Sequence, residues 1–540
     1  MINNKSNKSN QSNQSNQSNK SNKSNKQVEF IVVGDKNLSI RDCVDVAQNM
    51  CIVKLSEAAI TRITKARDVV DLLIKDNEVV YGLTTGFGSL STKYIPQDQT
   101  VQLQKNLIRS HAIGLGKPIK KKFVRCMFLL RLKCICNGNS GVRSEVALKI
   151  VEALNKNFIP FVPEKGTVGA SGDLAPLSHL FLGLMGEGLA FDNETNEYIN
   201  SADVMKKLDM TPIILREKEG LALNNGTQFI TSHAIFAIHN AFVAFNQSNM
   251  IASMTIEALH GTHKAFNELI HLAKPHTGQI YVAKEINKFI LENNAPSEIN
   301  NTHAVKKVQD GYDLRCIPQI HGTVFDLLTF NKNIIETELN GSNDNPLIFP
   351  DENKGSSNIA EKVISGGNFH GMYMGMATDQ IAYAMAILCN ISERRTDRLL
   401  NPALNGFLPE FLVENPGLNS GFMIFQYASA GNTSENRQLA NPASVGNIPT
   451  CNGCESVVSM SGWASRKAVQ AVNNTFEVLG IELMCACQAL DFTKEKTTSK
   501  LQEIHSHIRN HVPHIQSDEY MKPYLDTIIR MLKNNEFNCN

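Results

Sequence analysis

One stretch of the chain combines residue types and spacing that suggest chemistry: Gly166-Thr167-Val168-Gly169-Ala170-Ser171-Gly172-Asp173-Leu174-Ala175-Pro176-Leu177. Three glycines at three-residue intervals precede an apolar, helix-compatible run. Glycine permits backbone angles and close approaches that a Cβ blocks, and Pro176 suits a first helical turn. The stretch therefore predicts a tight loop feeding a helix that starts near Asp173. Free N–H groups and partial positive charge at such a start favour an anionic or electron-poor partner. The Lys-Ser/Thr ending of a phosphate loop is absent, and the pattern is not GxGxxG. Taken alone it fits a turn before a helix as well as a reactive loop.

Four further segments carry reactive side chains. Tyr81-Gly82-Leu83-Thr84-Thr85-Gly86-Phe87-Gly88 is a glycine-rich loop, either a surface turn or a lid that carries a tyrosine. His111 ends an amphipathic segment over 102–114, where a lone histidine is commonly a structural hydrogen-bonder. Tyr312 and Arg315 are three apart and share a face of any helical turn. Arginine's fork matches a carboxylate at two points, and a tyrosine can take a proton if its neighbours lower its pKa. Glu455 is a carboxylate that can accept hydrogen bonds or balance a cation.

These groups need a large scaffold, and 540 residues suffice for an extensive core and more than one domain. With 53 Lys+Arg against 52 Asp+Glu, the chain lacks the charge excess that nucleic acid or an anionic membrane would call for. Residues 1–26 repeat Ser, Asn, Lys and Gln and predict a disordered low-complexity tail. No apolar leader is visible there, so the twelve cysteines are expected to be reduced thiols in the cytoplasm. Cys451-Asn452-Gly453-Cys454 has the spacing of half a zinc or redox motif. Cys134/Cys136 and Cys485/Cys487 cannot complete a four-ligand set, so no metal site is expected.

Several elements can be placed. Val28–Val33 is a β-like run before a Gly34-Asp35 turn. Ser56 is an N-cap for a helix ending near Asp76, with Ile60, Ile63, Val70, Leu73 and Ile74 on one face. From Asn224 to Ile256 there is no Asp, Glu, Lys or Arg. The amides and histidines in that segment are too polar for lipid, so it predicts a helix at the centre of a bundle, with Asn225 a candidate N-cap. The methionine stripe after Gly371 is expected in the core, 352–362 in a surface loop, and Arg143 in a structural role. Pro513 breaks the helix that would align His507, His511 and His514, so these and His505 are expected to be solvent-exposed. The units are 1–26, an N-terminal region over 27–215, a central helical bundle over 216–490 and a C-terminal helical segment over 491–540.

Taken together, Gly-Thr-Val-Gly-Ala-Ser-Gly-Asp-Leu-Ala-Pro-Leu, the Tyr81–Gly88 loop, Gly220-Leu221-Ala222-Leu223-Asn224-Asn225-Gly226-Thr227-Gln228, Gln309-Asp310-Gly311-Tyr312-Asp313-Leu314-Arg315, Asn343-Asp344-Asn345-Pro346-Leu347, Gly366-Gly367-Asn368-Phe369-His370 and Asn419-Ser420-Gly421-Phe422-Met423 resemble the aromatic amino acid ammonia-lyases in order and content. The likeness covers roughly 30–490. It implies a mainly α fold: a long-helix central bundle, with a smaller N-terminal α/β-containing region carrying the reactive loop. It also implies a homotetramer with active sites shared between subunits. Ala170-Ser171-Gly172 would cyclise into 4-methylidene-imidazole-5-one (MIO) with no external cofactor. In that reaction the Gly172 nitrogen attacks the Ala170 carbonyl carbon and Ser171 loses water.

The resemblance also assigns roles. Tyr81 takes part in catalysis and Tyr312 is the proposed base, though which tyrosine removes the proton stays open. Arg315 binds the amino-acid carboxylate, and Asn225, Gln309 and Asn345 supply polar contacts. Phe369 lines the wall. His111, Met423 and Glu455 match the branch that holds an imidazole; the phenylalanine branch has apolar residues, a lysine and a glutamine there. The implied activity is that of a carbon–nitrogen lyase taking L-histidine to trans-urocanate and ammonia, the first step of histidine degradation. The chain departs from the family at Gly453-Cys454-Glu455-Ser456-Val457, where the family reads Asn-Gln-Glu-Asp-His or Ala-Thr-Glu-Asp-His. A related lyase or aminomutase acting on tyrosine or phenylalanine, and a non-catalytic scaffold, are the alternatives.

Overall fold

Five long helices run side by side through the middle of the chain, and their arrangement decides where every candidate site residue ends up. They are Gln228–Ala258, Ile317–Asn340, Met372–Leu400, Met423–Leu439 and Ser461–Leu490. In this computed structural model residues 30–304, 307–351 and 358–537 are described. The 1–26 tail lies outside them, as do residues 352–357 of the expected surface loop. The rest of that loop is ordered structure: Ile359–Lys362 form a 3₁₀ turn leading into Val363–Ile364, which pairs antiparallel with Leu347–Ile348.

The Gln228–Ala258 helix is buried on nearly all sides, in keeping with a run that is uncharged as far as Ile256. The bundle centre is nonetheless polar at one point. Arg395 and Glu482, both fully buried, form a two-pronged pair at 2.6 and 2.8 Å, and Ser392 and Thr255 donate to the same carboxylate. Breaking such a pair leaves an uncompensated buried charge, which costs about 3–5 kcal/mol; the pair therefore fixes the register of three helices. Met374 and Met385 of the stripe are core residues.

The mainly α reading holds, and among the described residues the strands form two-stranded pairs. Phe30–Val33 pairs in parallel with Ile52–Leu55. Ser56 caps the Glu57–Lys75 helix through Ala59 N–H at 3.1 Å. Its buried face is Ala59, Ile63, Ala66, Val70 and Leu73, with Ile60 and Ile74 on the flanks. Asn225 is not the N-cap of the long helix. It follows the short Glu219–Asn224 helix, and the chain turns through Gly226 and Thr227 before Gln228. Arg143 is structural: its guanidinium clasps the buried Glu219 at 2.8 and 2.9 Å. No helix of the described residues is long and apolar enough to cross a membrane.

The C-terminal histidines correct the sequence reading in part. His507 and His511 are exposed, but His505 and His514 converge on Asp491 at 2.9 and 2.7 Å, beside Arg509 at 2.6 Å. Burial would raise the Asp491 pKa, but hydrogen bonds from His505 and His514 and the Arg509 charge bring it down to about 2.

A buried histidine makes stability depend on pH. His233 stacks on Phe123 at 4.1 Å, and its Nδ1 is 2.8 Å from Phe229 O. Burial brings its pKa down to about 4. The unfolded chain takes up this proton near pH 6.5 and the folded chain only near 4, so stability is lost as pH falls across that window. This group alone should cost roughly 2 kcal/mol between pH 7 and pH 5. Asp173 and Glu257, both raised to about 7 by burial, act in the opposite direction. The readout is therefore a variant: His233→Phe should show a smaller fall in Tm between the two pH values than the parent. An equal fall would refute the assignment.

Candidate active site

The Ala170-Ser171-Gly172 turn is pinned from both sides. Gly169 and Gly172 have φ of +68° and +74°, a region that disfavours side chains. A Cβ on Gly172 would lie 2.4–2.6 Å from the backbone of Gly226, and one on Gly169 would lie 2.0 Å from Ser461 Oγ. The Gly169 carbonyl accepts from Gly371 N–H and Ser459 Oγ, both at 3.0 Å, while Asp173 N–H donates to Gly226 O at 2.7 Å. Asp173 opens the Leu174–Leu184 helix, but its carboxylate does not cap it. Fully buried, it accepts from Thr167 Oγ1 at 2.9 Å and Ile230 N–H at 3.0 Å, tying the loop to the bundle.

Asn225 reaches the turn from the break between two helices. Its Nδ2 donates to the Ser171 carbonyl at 2.8 Å, which fixes the amide orientation. Its Oδ1 is buried with no hydrogen-bond partner, and a buried orphan acceptor marks a place for a donor. These features fit the imidazolone. The Gly172 approach has no room for a side chain, the Ser171 hydroxyl would be the group lost on cyclisation, and the Ser171 carbonyl oxygen, which the ring would retain, already has a donor.

Glu455 arrives on a hairpin. Thr450 and Glu455 bond each other through their backbones at 3.2 and 3.3 Å, and Thr450 Oγ1 donates to Glu455 Oε2. That fixes the carboxylate so that Oε1 accepts from Ser171 Oγ. The departure from the family sequence next to Glu455 therefore leaves its carboxylate at the reactive turn. The Tyr81 hydroxyl accepts from Gly88 N–H at 3.0 Å within its own loop. Burial, chiefly, and the nearby Cys451 and Glu455 push the Tyr81 pKa up. His111 Nδ1 lies 3.0 Å from Ser110 Oγ. Burial lowers its pKa, and the Leu107 backbone and the Glu455 charge restore only part of the loss.

Asn345 and Phe369 belong to the same end. Asn345 Oδ1 accepts from Gly366 N–H at 2.8 Å, and Phe369 is two residues from Gly371, which bonds Gly169. The remaining candidates lie elsewhere. Asp313, between Tyr312 and Arg315, is held by Arg398 at 2.5 and 2.9 Å. Arg315 stacks over the exposed Tyr312 ring at 4.6 Å, and Arg315 Nε is buried without a partner. Gln309 is exposed beside Asp310, which accepts from Thr262 N–H at 2.7 Å. Met423 begins a helix whose Gln426 bonds Asp397 at 2.7 Å. Gly371 and Asp397 mark opposite ends of one unbroken helix. At a rise of about 1.5 Å per residue, the two groups are about 40 Å apart within one chain.

Sequence reasoning missed Thr450 and gave Asp173 no role beyond the helix start. A residue pair closing a hairpin around Asn452-Gly453 was a usable signal for Thr450, because Asn-Gly is a strong turn dipeptide. Nothing local flags Asp173, whose partner Ile230 is distant in sequence.

The aromatic amino acid lyase family model matches residues 38–510. Human histidine ammonia-lyase is 42% identical over 506 residues, covering 93% of this chain and 76% of its own length. Among solved structures, histidine ammonia-lyase from Trypanosoma cruzi superposes with a TM-score of 0.86 at 37% identity, covering 94% of each chain. A tyrosine aminomutase from Streptomyces globisporus gives a TM-score of 0.87 at 31% identity, covering 94% of this chain and 97% of its own.

Proposed function

This chain belongs to the aromatic amino acid lyase family, and from that premise we propose that it deaminates L-histidine to trans-urocanate and ammonia as a carbon–nitrogen lyase. The observation that carries the reading is the convergence on Ser171: an amide on its carbonyl, a carboxylate on its hydroxyl and a half-buried histidine and tyrosine close by. Once formed from Ala170-Ser171-Gly172, the methylidene-imidazolone supplies an electrophilic carbon at the site. The chain's own residues do the rest. The orphan Asn225 Oδ1 accepts from the substrate ammonium. Arg315 holds the carboxylate in two-point geometry, and Gln309 and Asn345 add polar contacts at the substrate. Phe369 packs on the wall.

A β C–H is a weak acid, and its removal needs a base aligned in the bound substrate. Tyr81 and Tyr312 are the two candidates for that base: Tyr312 is the one the family resemblance proposes, and burial pushes the Tyr81 pKa up, which suits a hydrogen-bond donor. His111 and Met423 pack on the imidazole. Glu455 loses its Ser171 partner when that hydroxyl leaves, so Oε1 becomes the acceptor for an imidazole N–H.

Tyr312, Arg315, Gln309 and Met423 are too far from Ser171 in one chain, so the working site takes them from other copies, and the proposed assembly is a homotetramer. The setting proposed for the chain is the reducing cytoplasm. The test is urocanate absorbance from histidine with no added cofactor. Faster turnover of phenylalanine or tyrosine would overturn the substrate assignment. Glu455→Gln keeps the shape but removes the charged acceptor. It should lower kcat/KM for histidine about 10- to 100-fold, in line with loss of a charge-assisted hydrogen bond. An unchanged value would remove Glu455 from the imidazole pocket.

A further inference from the structure

The hairpin that carries Glu455 has two thiols on its four-residue tip. Cys454 N–H donates to Cys451 O at 3.1 Å, closing a turn through Asn452 and Gly453, both at positive φ. Such a turn brings its first and last Cα within about 7 Å, and disulfides span Cα separations of about 4.4–6.8 Å. Both cysteines are free thiols in this structure. Among the described cysteines Cys454 is the exposed one, and most of the others are buried. Peroxide reaches accessible thiols first. The described residues offer no third donor that would make the pair a metal site.

The tip also touches the tyrosine loop. Cys451 Sγ lies against Gly88, where a Cβ would come within 2.6 Å of it, and Gly88 N–H bonds the Tyr81 hydroxyl. Asn452 Nδ2 is 3.4 Å from Ser89 Oγ. In the reduced state the hairpin tip therefore braces the Tyr81 loop, while the Thr450–Glu455 bridge at its base holds the carboxylate.

We propose that Cys451 and Cys454 are a reversible dithiol–disulfide modification site that controls the neighbouring site. The oxidant is a peroxide. The Cys454 thiol attacks it, giving a sulfenic acid and one water; the Cys451 thiol then displaces the second water and the Sγ–Sγ bond forms. Two S–H bonds and one O–O bond break, and the two electrons lost by sulfur reduce the peroxide. Closure draws Cys451 Sγ away from Gly88, releasing the Tyr81 loop, and tightens the tip against Glu455. A small misplacement of reacting groups is enough to cost about 100-fold in rate.

The activity half of this proposal rests on the deamination reading; the disulfide half does not. The full-length enzyme is reduced, then treated with hydrogen peroxide and followed by peptide mass mapping and urocanate formation. A Cys451–Cys454 cross-linked peptide should appear as kcat/KM falls about 10- to 100-fold, and dithiothreitol should reverse both. Cys454→Ser, whose side chain is exposed and makes none of the bracing contacts, should start at the parent rate and resist the peroxide. Absence of the cross-link, a cross-link with unchanged kcat/KM, or equal inactivation of Cys454→Ser would each overturn the proposal. A reduced enzyme that makes no urocanate overturns the deamination reading instead, and the mass map then decides whether the dithiol forms.

Discussion

Ser171→Ala is expected to yield a folded oligomer with turnover reduced at least about 1,000-fold, equivalent to about 4 kcal/mol of lost transition-state stabilisation. The structure separates the two effects that such a variant could have. The Ser171 side chain makes one hydrogen bond, to Glu455, whose other oxygen keeps Thr450. Losing it should cost only about 1 kcal/mol of stability. The turn itself is held by backbone contacts that do not involve the side chain: Gly169 to Gly371, Asp173 to Gly226, and the Asn225 amide on the Ser171 carbonyl. What alanine lacks is the β-hydroxyl that would leave to create the proposed electrophile. Intact mass supplies an independent reading: the parent chain should weigh less than its sequence by two water molecules, and Ser171→Ala should not. Full activity in Ser171→Ala, or a parent at its full sequence mass, would rule out the ring.

The reactive end of the molecule was legible because its chemistry is written locally. Glycines at 169 and 172 are needed where the backbone turns through positive φ against Gly226 and Ser461, and a glycine requirement is visible in a sequence. The Ser56 cap and the uncharged run before Glu257 were legible for the same reason, since capping and burial act on neighbouring residues. What could not be read was which motifs face each other. Tyr312-Asp313-Leu314-Arg315 and Asn343-Asp344-Asn345 are separated by one helix, and that helix carries them to opposite ends of the bundle. Only the antiparallel pairing of Ile317–Asn340 with Met372–Leu400, seen in the Asp313–Arg398 clasp, reveals it. Likewise His505 and His514 sit on separate segments and meet only because Asp491 ends a third.

That separation leads to the second large effect. Ser171→Ala and the double variant Tyr312→Phe/Arg315→Ala should each be nearly inactive alone, yet recover activity when unfolded together and co-refolded. Each removes a group that the other retains, and the groups lie at opposite ends of a helix about 40 Å long. No hinge within that helix can bring them together, since it runs unbroken from Met372 to Leu400 and is locked to Ser461–Leu490 by the buried Arg395–Glu482 pair. On the proposed assignments, a complete site takes the Ser171 end of one copy and the Arg315 end of another. If one copy supplies each end, random mixing of equal amounts should give about a quarter of the sites both intact halves, by the statistics of a symmetric oligomer. A linked chain carrying both lesions provides the control, because it cannot supply either intact half. Arg315 has a geometric reason to behave this way: its Nε is buried and unpaired in the isolated chain, and an unsatisfied guanidinium is costly unless an anion meets it on assembly or on substrate binding. Recovery near zero, with mixed oligomers verified by mass, would mean that each chain completes its own site, and the role given to Arg315 would fail with it.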